Sequence, residues 1–169
     1  MPINVRFGNL INEVAPSKEG TDIIIQQVNA MGVMASGFAK DLRAAYPEVF
    51  DSYSKEIKHD KLRIGVNRDK MGTVIPHLVS IDGKELLILN IVAQLDYGRD
   101  GIRYTSYDAL DTGFKSIAEF LKVATDDPLN VHFPAIGCGL GGGDWNVVEA
   151  IINSNLTAPN ISNTLWVLK

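Results

Sequence analysis

Cysteine is almost missing from the chain. Cys138 is the single one among 169 residues, which excludes an internal disulfide and any zinc site built from cysteine pairs. A lone thiol fits a reducing compartment, so a cytoplasmic location is expected. No apolar run approaches the roughly 20 residues of a membrane span, and Met1 to Leu10 lack the charged-then-apolar pattern of a secretory signal. No membrane partner is therefore expected. Positive charge is in deficit too: 16 Lys and Arg against 20 Asp and Glu leave a formal charge of -4. Such a chain has no field to draw in phosphate backbones, which argues against general nucleic-acid binding. The three histidines, His59, His77 and His132, lie without metal-ligand spacing, so neither a metal nor a cofactor is expected. Internal repeats, low-complexity tracts and linkers are also missing. With 46% hydrophobic residues, the sequence reads as a single domain over residues 1–169, a size at which about 70% of the unfolded surface is buried.

What is present alternates between strand and helix patterns. "INVRF" (Ile3 to Phe7) alternates as a half-buried strand, and "DIIIQQV" (Asp22 to Val28) reads as a more buried one, with Pro16 and Gly20 marking their connection. Phe38, Leu42, Ala45 and Tyr46 stripe a short helix that Pro47 interrupts. Asp51 to Lys70 is polar enough to predict a mobile surface excursion. Two apolar runs from Thr73 to Val92 flank Asp82-Gly83, a strong hairpin signal, with Pro76 tolerable near an edge. A long helix is expected from about Ser106 to Lys122, carrying Leu110, Phe114, Ile117 and Leu121 on one face, with Ser106 or Thr105 as its cap. A short strand (Val131 to Ile136), a helix striped by Val147, Val148, Ile151 and Ile152, and a strand over Thr164 to Leu168 complete the series. This pattern predicts an α/β fold, a three-layer α/β/α domain with a mixed central sheet in which the hairpin supplies the antiparallel part.

Two loops stand out. "PAIGCGLGGGDW" (Pro134 to Trp145) places five glycines between a strand and a helix. Gly137, Gly139 and Gly142 satisfy the spacing G-x-G-x-x-G, but the dinucleotide fold also expects an acidic residue about 20 positions later and further strands. The chain ends at Lys169, and a nicotinamide oxidoreductase is the last of the readings. No Gly-Lys-Ser/Thr follows, so a Walker loop fails as well. What survives is the general mechanism in which backbone N–H groups at a helix N-terminus face an anion. "VNAMGVMASGFA" (Val28 to Ala39) is a second loop of the same kind. Two such cradles at the carboxyl ends of strands in one sheet suggest a diphosphate.

Together these stretches resemble the macro domain family. "VNAMGVMASGFA" resembles its first ligand loop, "IGCGLGGGDW" its second, and "FGNL" (Phe7 to Leu10) the element after its first strand. "YGRDGIRYTSYDAL" (Tyr97 to Leu110) resembles short members related to ADP-ribose 1''-phosphate phosphatases and ADP-ribosyl hydrolases. The resemblance implies a pocket for ADP-ribose or a derivative of it. Asn9, with Leu10, would lie near adenine. Ala30 and the run Gly32, Val33, Met34, Ala35, Ser36 and Gly37 would wrap the diphosphate and distal ribose from one side. Ile136, Gly137, Cys138, Gly139, Leu140, Gly141, Gly142 and Gly143 would do so from the other. Tyr97 and Tyr107 would cover the ligand, and Asn29 would bond the distal ribose hydroxyls.

Catalysis depends on the same resemblance. One hydrolase branch uses an aspartate just after the first loop's glycines, where this chain has Phe38, Ala39 and Lys40. Another uses a lysine beyond the central strand, where "NIVAQ" (Asn90 to Gln94) has none, with an aspartate in the second loop, where Gly141 stands. The expectation is hydrolysis of an ADP-ribose derivative, foremost ADP-ribose 1''-phosphate, with Asn29 and Asp144 positioning water. The rivals are a reader that binds ADP-ribose without turnover and an enzyme that removes ADP-ribose from an ADP-ribosylated macromolecule, protein or nucleic acid. Plainer roles exist for the same residues. Asp144 directly precedes an apolar helix and is a good N-cap, Asn29 suits an Asx-turn, and Cys138 suits packing better than nucleophilic attack.

Overall fold

The computed structural model describes residues 2–14, 21–58 and 68–168. Six strands and five helices follow in the order β1 (Asn4–Phe7), α1 (Leu10–Glu13), β2 (Thr21–Asn29), α2 (Gly37–Ala45), α3 (Pro47–Lys58), β3 (Val74–Ile81), β4 (Lys84–Gln94), α4 (Tyr107–Ala124), β5 (Leu129–Phe133), α5 (Trp145–Asn155) and β6 (Ile161–Val167). The strands form one sheet in the order β1-β6-β5-β2-β4-β3. All pairs are parallel except β3 with β4. This is the expected mixed sheet, and its helices lie on both faces.

The run "DIII" explains why β2 is central. Ile23, Ile24 and Ile25 are all fully buried, as a strand covered on both faces requires. Ile23 and Ile25 join Phe114, Phe133 and Val148 in the core under α4 and α5. Ile24 joins Leu42, Tyr53 and Ile57 under α2 and α3. The hairpin turns on Asp82 and Gly83, both left-handed at φ +50° and +77°, the pair of positive angles that a type I′ turn needs. Pro76 sits on edge strand β3 opposite Leu89. Ser106 caps α4 by accepting a hydrogen bond from the Ala109 N–H at 3.2 Å.

Four local expectations need correction. Pro47 does end the first helical pattern, but it also opens α3, because a proline at the first helical position lacks only an N–H that would be orphaned anyway. Asp51 to Lys58 therefore belong to a helix and Arg68–Lys70 to a 3-10 turn; the remainder of that stretch, with His59, lies outside the described residues, as do Pro16 and Gly20. Strand β1 is exposed along its length rather than half-buried, being the sheet's edge. Strand β5 stops at Phe133, since Pro134 has no N–H to donate to the ladder and Pro134 to Ile136 already begin the second loop.

One polar cluster couples the sheet to pH. His132 on β5 accepts from the Trp166 indole N–H at Nδ1 (3.0 Å), and its Nε2 lies 3.2 Å from Asp22 Oδ1. Nδ1 must therefore be unprotonated. Burial holds the imidazole below its ordinary pKa and the Arg6 charge adds to this, against the opposing pull of Asp22. The folded state thus binds fewer protons than the unfolded one. The contribution is fully present above the unfolded pKa, about 6.5, and is lost as pH falls through the folded value. The melting temperature is expected to drop between pH 7 and pH 5 more steeply in the wild type than in His132→Gln, and equal slopes by calorimetry would remove His132 from this role.

Candidate functional site

The carboxyl ends of β2, β4 and β5 open into a cavity of about 560 Å³. Its first wall is the loop leaving β2. Asn29 shapes it: Oδ1 accepts from the N–H groups of Met31 (3.0 Å) and Val33 (3.3 Å), while Nδ2 donates to the Val33 carbonyl at 2.8 Å. The Tyr53 hydroxyl, from α3, lies 2.6 Å from the Asn29 carbonyl and 2.8 Å from Oδ1, and it accepts from the Val33 N–H at 3.1 Å. Tyr53 is fully buried, and desolvation raises its phenol far above the titrating range. The loop ends at Ser36, the N-cap of α2, whose side chain makes no capping hydrogen bond. The first-turn N–H groups of α2 are left without a side-chain cap at the cavity wall, an arrangement suited to an anion.

The second wall is the glycine loop after β5, and it is clamped from beneath. The Thr105 hydroxyl donates to the Gly137 carbonyl at 2.7 Å, and the Gly143 N–H donates to the same oxygen at 2.7 Å. Tyr104 and Thr105 donate their backbone N–H groups to the Gly141 carbonyl. A Cβ on Gly137 would stand 2.8 Å from both Thr105 Oγ1 and Gln27 Oε1, and Gly137 also holds φ +71°. At Gly139, by contrast, a Cβ would meet nothing within 4 Å. The loop therefore needs glycine at Gly137 to lie down on its own support, and Gly139 is where space is open.

Of the residues expected at the site, Asn29, Val33, Ala35, Ser36, Gly37, Tyr97, Ile136, Gly137, Gly139, Leu140 and Gly141 line the cavity. Others lie outside that lining. Ala30, Met34 and Leu10 are core residues. Gly32, Gly142 and Gly143 shape the loops. Asn9 is exposed and caps α1 by accepting from the Ile11 N–H at 3.0 Å. Cys138 donates its thiol to the Ile136 carbonyl, and burial, with the Asp144 charge, pushes the thiol up to about 11. Tyr107 packs under the Arg103 guanidinium, 4.4 Å from its ring centroid, and accepts from the Asp144 N–H at 2.9 Å.

Asp144 caps α5, its carboxylate accepting from the Asn146 N–H at 2.9 Å. Asparagine caps helices as well as aspartate does, whereas alanine costs about 1 kcal/mol. Asp144→Asn should thus keep wild-type stability in urea and Asp144→Ala should lose about that amount. Turnover retained by Asp144→Asn would assign the residue to the cap alone, and turnover lost would assign it to the reaction.

Sequence reasoning missed the floor. Gln26, Gln27 and Gln94 line the cavity, and so does Arg99, the one charged side chain among the described lining residues. The signal was there in part: polar residues end two otherwise apolar strands, "DIIIQQVN" and "LLILNIVAQ", at the side where parallel sheets bind ligands. Among the described residues, no group of three or more His, Cys, Asp or Glu could hold a metal ion, and no helix is long and apolar enough to cross a membrane.

These features define an α/β/α domain with a cavity between two glycine-bearing loops at the carboxyl ends of parallel strands. A solved protein of unknown function from Bacteroides thetaiotaomicron superposes with a TM-score of 0.78 and 26% identity, covering 98% of each chain. A macrodomain protein from Streptomyces coelicolor superposes with a TM-score of 0.71 and 23% identity, covering 98% of this chain and 99% of that one. The chain has the macrodomain fold. In sequence it is 30% identical over 147 residues to the DNA ADP-ribosyl glycohydrolase of Mycobacterium tuberculosis (strain ATCC 25618 / H37Rv), covering 86% of this chain and spanning 38% of that protein's length. No family model matches the chain.

Proposed function

We propose that the cavity binds ADP-ribose and that the protein hydrolyses an ADP-ribose derivative, with ADP-ribose 1''-phosphate as the first substrate to test. One observation carries the reading. In a chain of formal charge -4, the described cavity lining holds no acid and one cation, Arg99, beside the uncapped N-terminus of α2 and the glycine loop. Such a lining favours a multiply anionic ligand, because backbone N–H groups and a guanidinium both answer phosphate oxygens. In the reaction, water attacks the terminal phosphate, the bond to the distal ribose oxygen breaks, and ADP-ribose and inorganic phosphate leave. The protein's part is to position the substrate and stabilise negative charge.

A second reading is removal of ADP-ribose from DNA, favoured by the relative of that name. Here the bond at the distal ribose anomeric carbon is cleaved, and Arg99 faces a backbone phosphate of the nucleic acid. Incubation with each substrate separates the two. Release of inorganic phosphate from ADP-ribose 1''-phosphate is expected; release of ADP-ribose from modified DNA, without phosphate release, would replace the first reading by the second. Binding of ADP-ribose with neither product would make the protein a reader.

A further inference from the structure

The segment between β4 and α4 is folded around one phenol. The Tyr104 hydroxyl donates to the Asp100 carboxylate, whose oxygens lie at 2.8 and 3.0 Å, and the Ile102 N–H donates to the same carboxylate at 3.3 Å. Gly98 lies against the same hydroxyl: a Cβ there would stand 2.5 Å from its oxygen. Tyr104 thus fixes the residues on both sides of Arg99. Its backbone N–H donates to the Gly141 carbonyl at 2.8 Å, which seats the segment on the second glycine loop. Two acids border Arg99 in sequence, Asp96 and Asp100, and both are engaged elsewhere. Asp96 accepts from the Tyr97 N–H at 2.8 Å. The Tyr104 phenol, and after it the Ile102 N–H, hold the Asp100 carboxyl below the usual carboxylate range. Among the described residues no acid pairs with Arg99, and the described cavity lining holds no other charge.

We infer that Tyr104 is a positioning residue for ligand binding: it occupies Asp100, so that Arg99 stays unpaired and keeps its charge for the ligand's phosphate oxygens. This rests on the proposed ADP-ribose reading. The reason is electrostatic. A carboxylate released from the phenol would pair with the guanidinium beside it, and such charge-assisted pairs compete directly with phosphate. An anionic ligand would then meet a segment in which Asp96 and Asp100 outnumber Arg99. The Tyr104–Asp100 pair lies at the surface, where losing a hydrogen bond changes stability little, so its effect falls on binding.

The test is calorimetric titration of ADP-ribose into the wild type, Arg99→Gln, Tyr104→Phe and the double variant, each at low and at high salt. Both single variants are expected to weaken binding at low salt by roughly three- to tenfold, the range of one partly exposed charge-assisted contact. The double variant should bind no more weakly than Arg99→Gln, because a residue that acts through another adds nothing once that other is gone. All three variants should lose most of the wild type's salt dependence, since the contacts that remain are neutral N–H groups. A purely structural role for Tyr104 would give losses that multiply in the double variant. That result, or wild-type affinity or wild-type salt dependence in Tyr104→Phe, would overturn the inference while leaving the binding site intact. A wild type that does not bind ADP-ribose would overturn the underlying reading and the inference with it.

Discussion

Gly137→Ala is expected to lower stability by about 2–5 kcal/mol and to abolish ADP-ribose binding. Two costs combine. A non-glycine residue in the left-handed region costs roughly 1–2 kcal/mol, and Gly137 stands at φ +71°. Overpacking adds about 1–3 kcal/mol, because the new methyl would meet Thr105 Oγ1 and Gln27 Oε1 at 2.8 Å. Neither neighbour can yield freely. Thr105 is 3% exposed, and its hydroxyl is tied to the Gly137 carbonyl and to Gln27. Displacing it releases the glycine loop from its support. Gly139→Ala is the control: with open space at its Cβ, it should keep the stability of the wild type. Urea unfolding of both variants checks the contrast, and a Gly137→Ala protein as stable as Gly139→Ala would refute the clamp.

Tyr53→Phe is expected to cost about 1–3 kcal/mol, the range for leaving buried hydrogen-bonding groups without a partner, and to weaken ligand binding at the same time. The phenol lies 2.6 Å from the Asn29 carbonyl and 3.1 Å from the Val33 N–H. Removing one oxygen therefore affects both ends of the first turn of the loop. Phenylalanine fills almost the same volume, so packing against Leu42 and Val49 in that core is kept. The stability change then reports the hydrogen bonds and not a cavity. Calorimetric titration with ADP-ribose should show the weakened binding with an unchanged stoichiometry. Retained stability would mean that Asn29 holds the loop without Tyr53.

The sheet's centre was legible because burial on both faces leaves a continuous apolar run, as in "DIII", and because Asp82-Gly83 names its turn type outright. The long helix α4 was legible from its stripe and its cap: Ser106 takes the cap, and Thr105, the other candidate, is drawn instead to Gly137. The two loops were visible as glycine between strand and helix. The reason for the glycine was not. It depends on contacts between residues far apart in sequence, such as Gln27 with Thr105 and Thr105 with Gly137, which no local pattern records. Asn29 shows the same limit: its Asx-turn suits the local sequence, yet the tyrosine that completes it comes from a helix hidden behind Pro47. The three cavity glutamines were overlooked because they end strands whose apolar content draws attention to the core. Asp144, expected to act on water, sits where its local signature places it, at the N-cap of α5.

The central claim is that the two loops hold the diphosphate of ADP-ribose, and phosphorus NMR tests it most directly. Titrating the wild-type protein into ADP-ribose should shift or broaden both diphosphate resonances in a saturable manner, and Gly137→Ala should leave them unmoved. Resonances that stay at their free positions in the presence of excess wild-type protein would contradict the account.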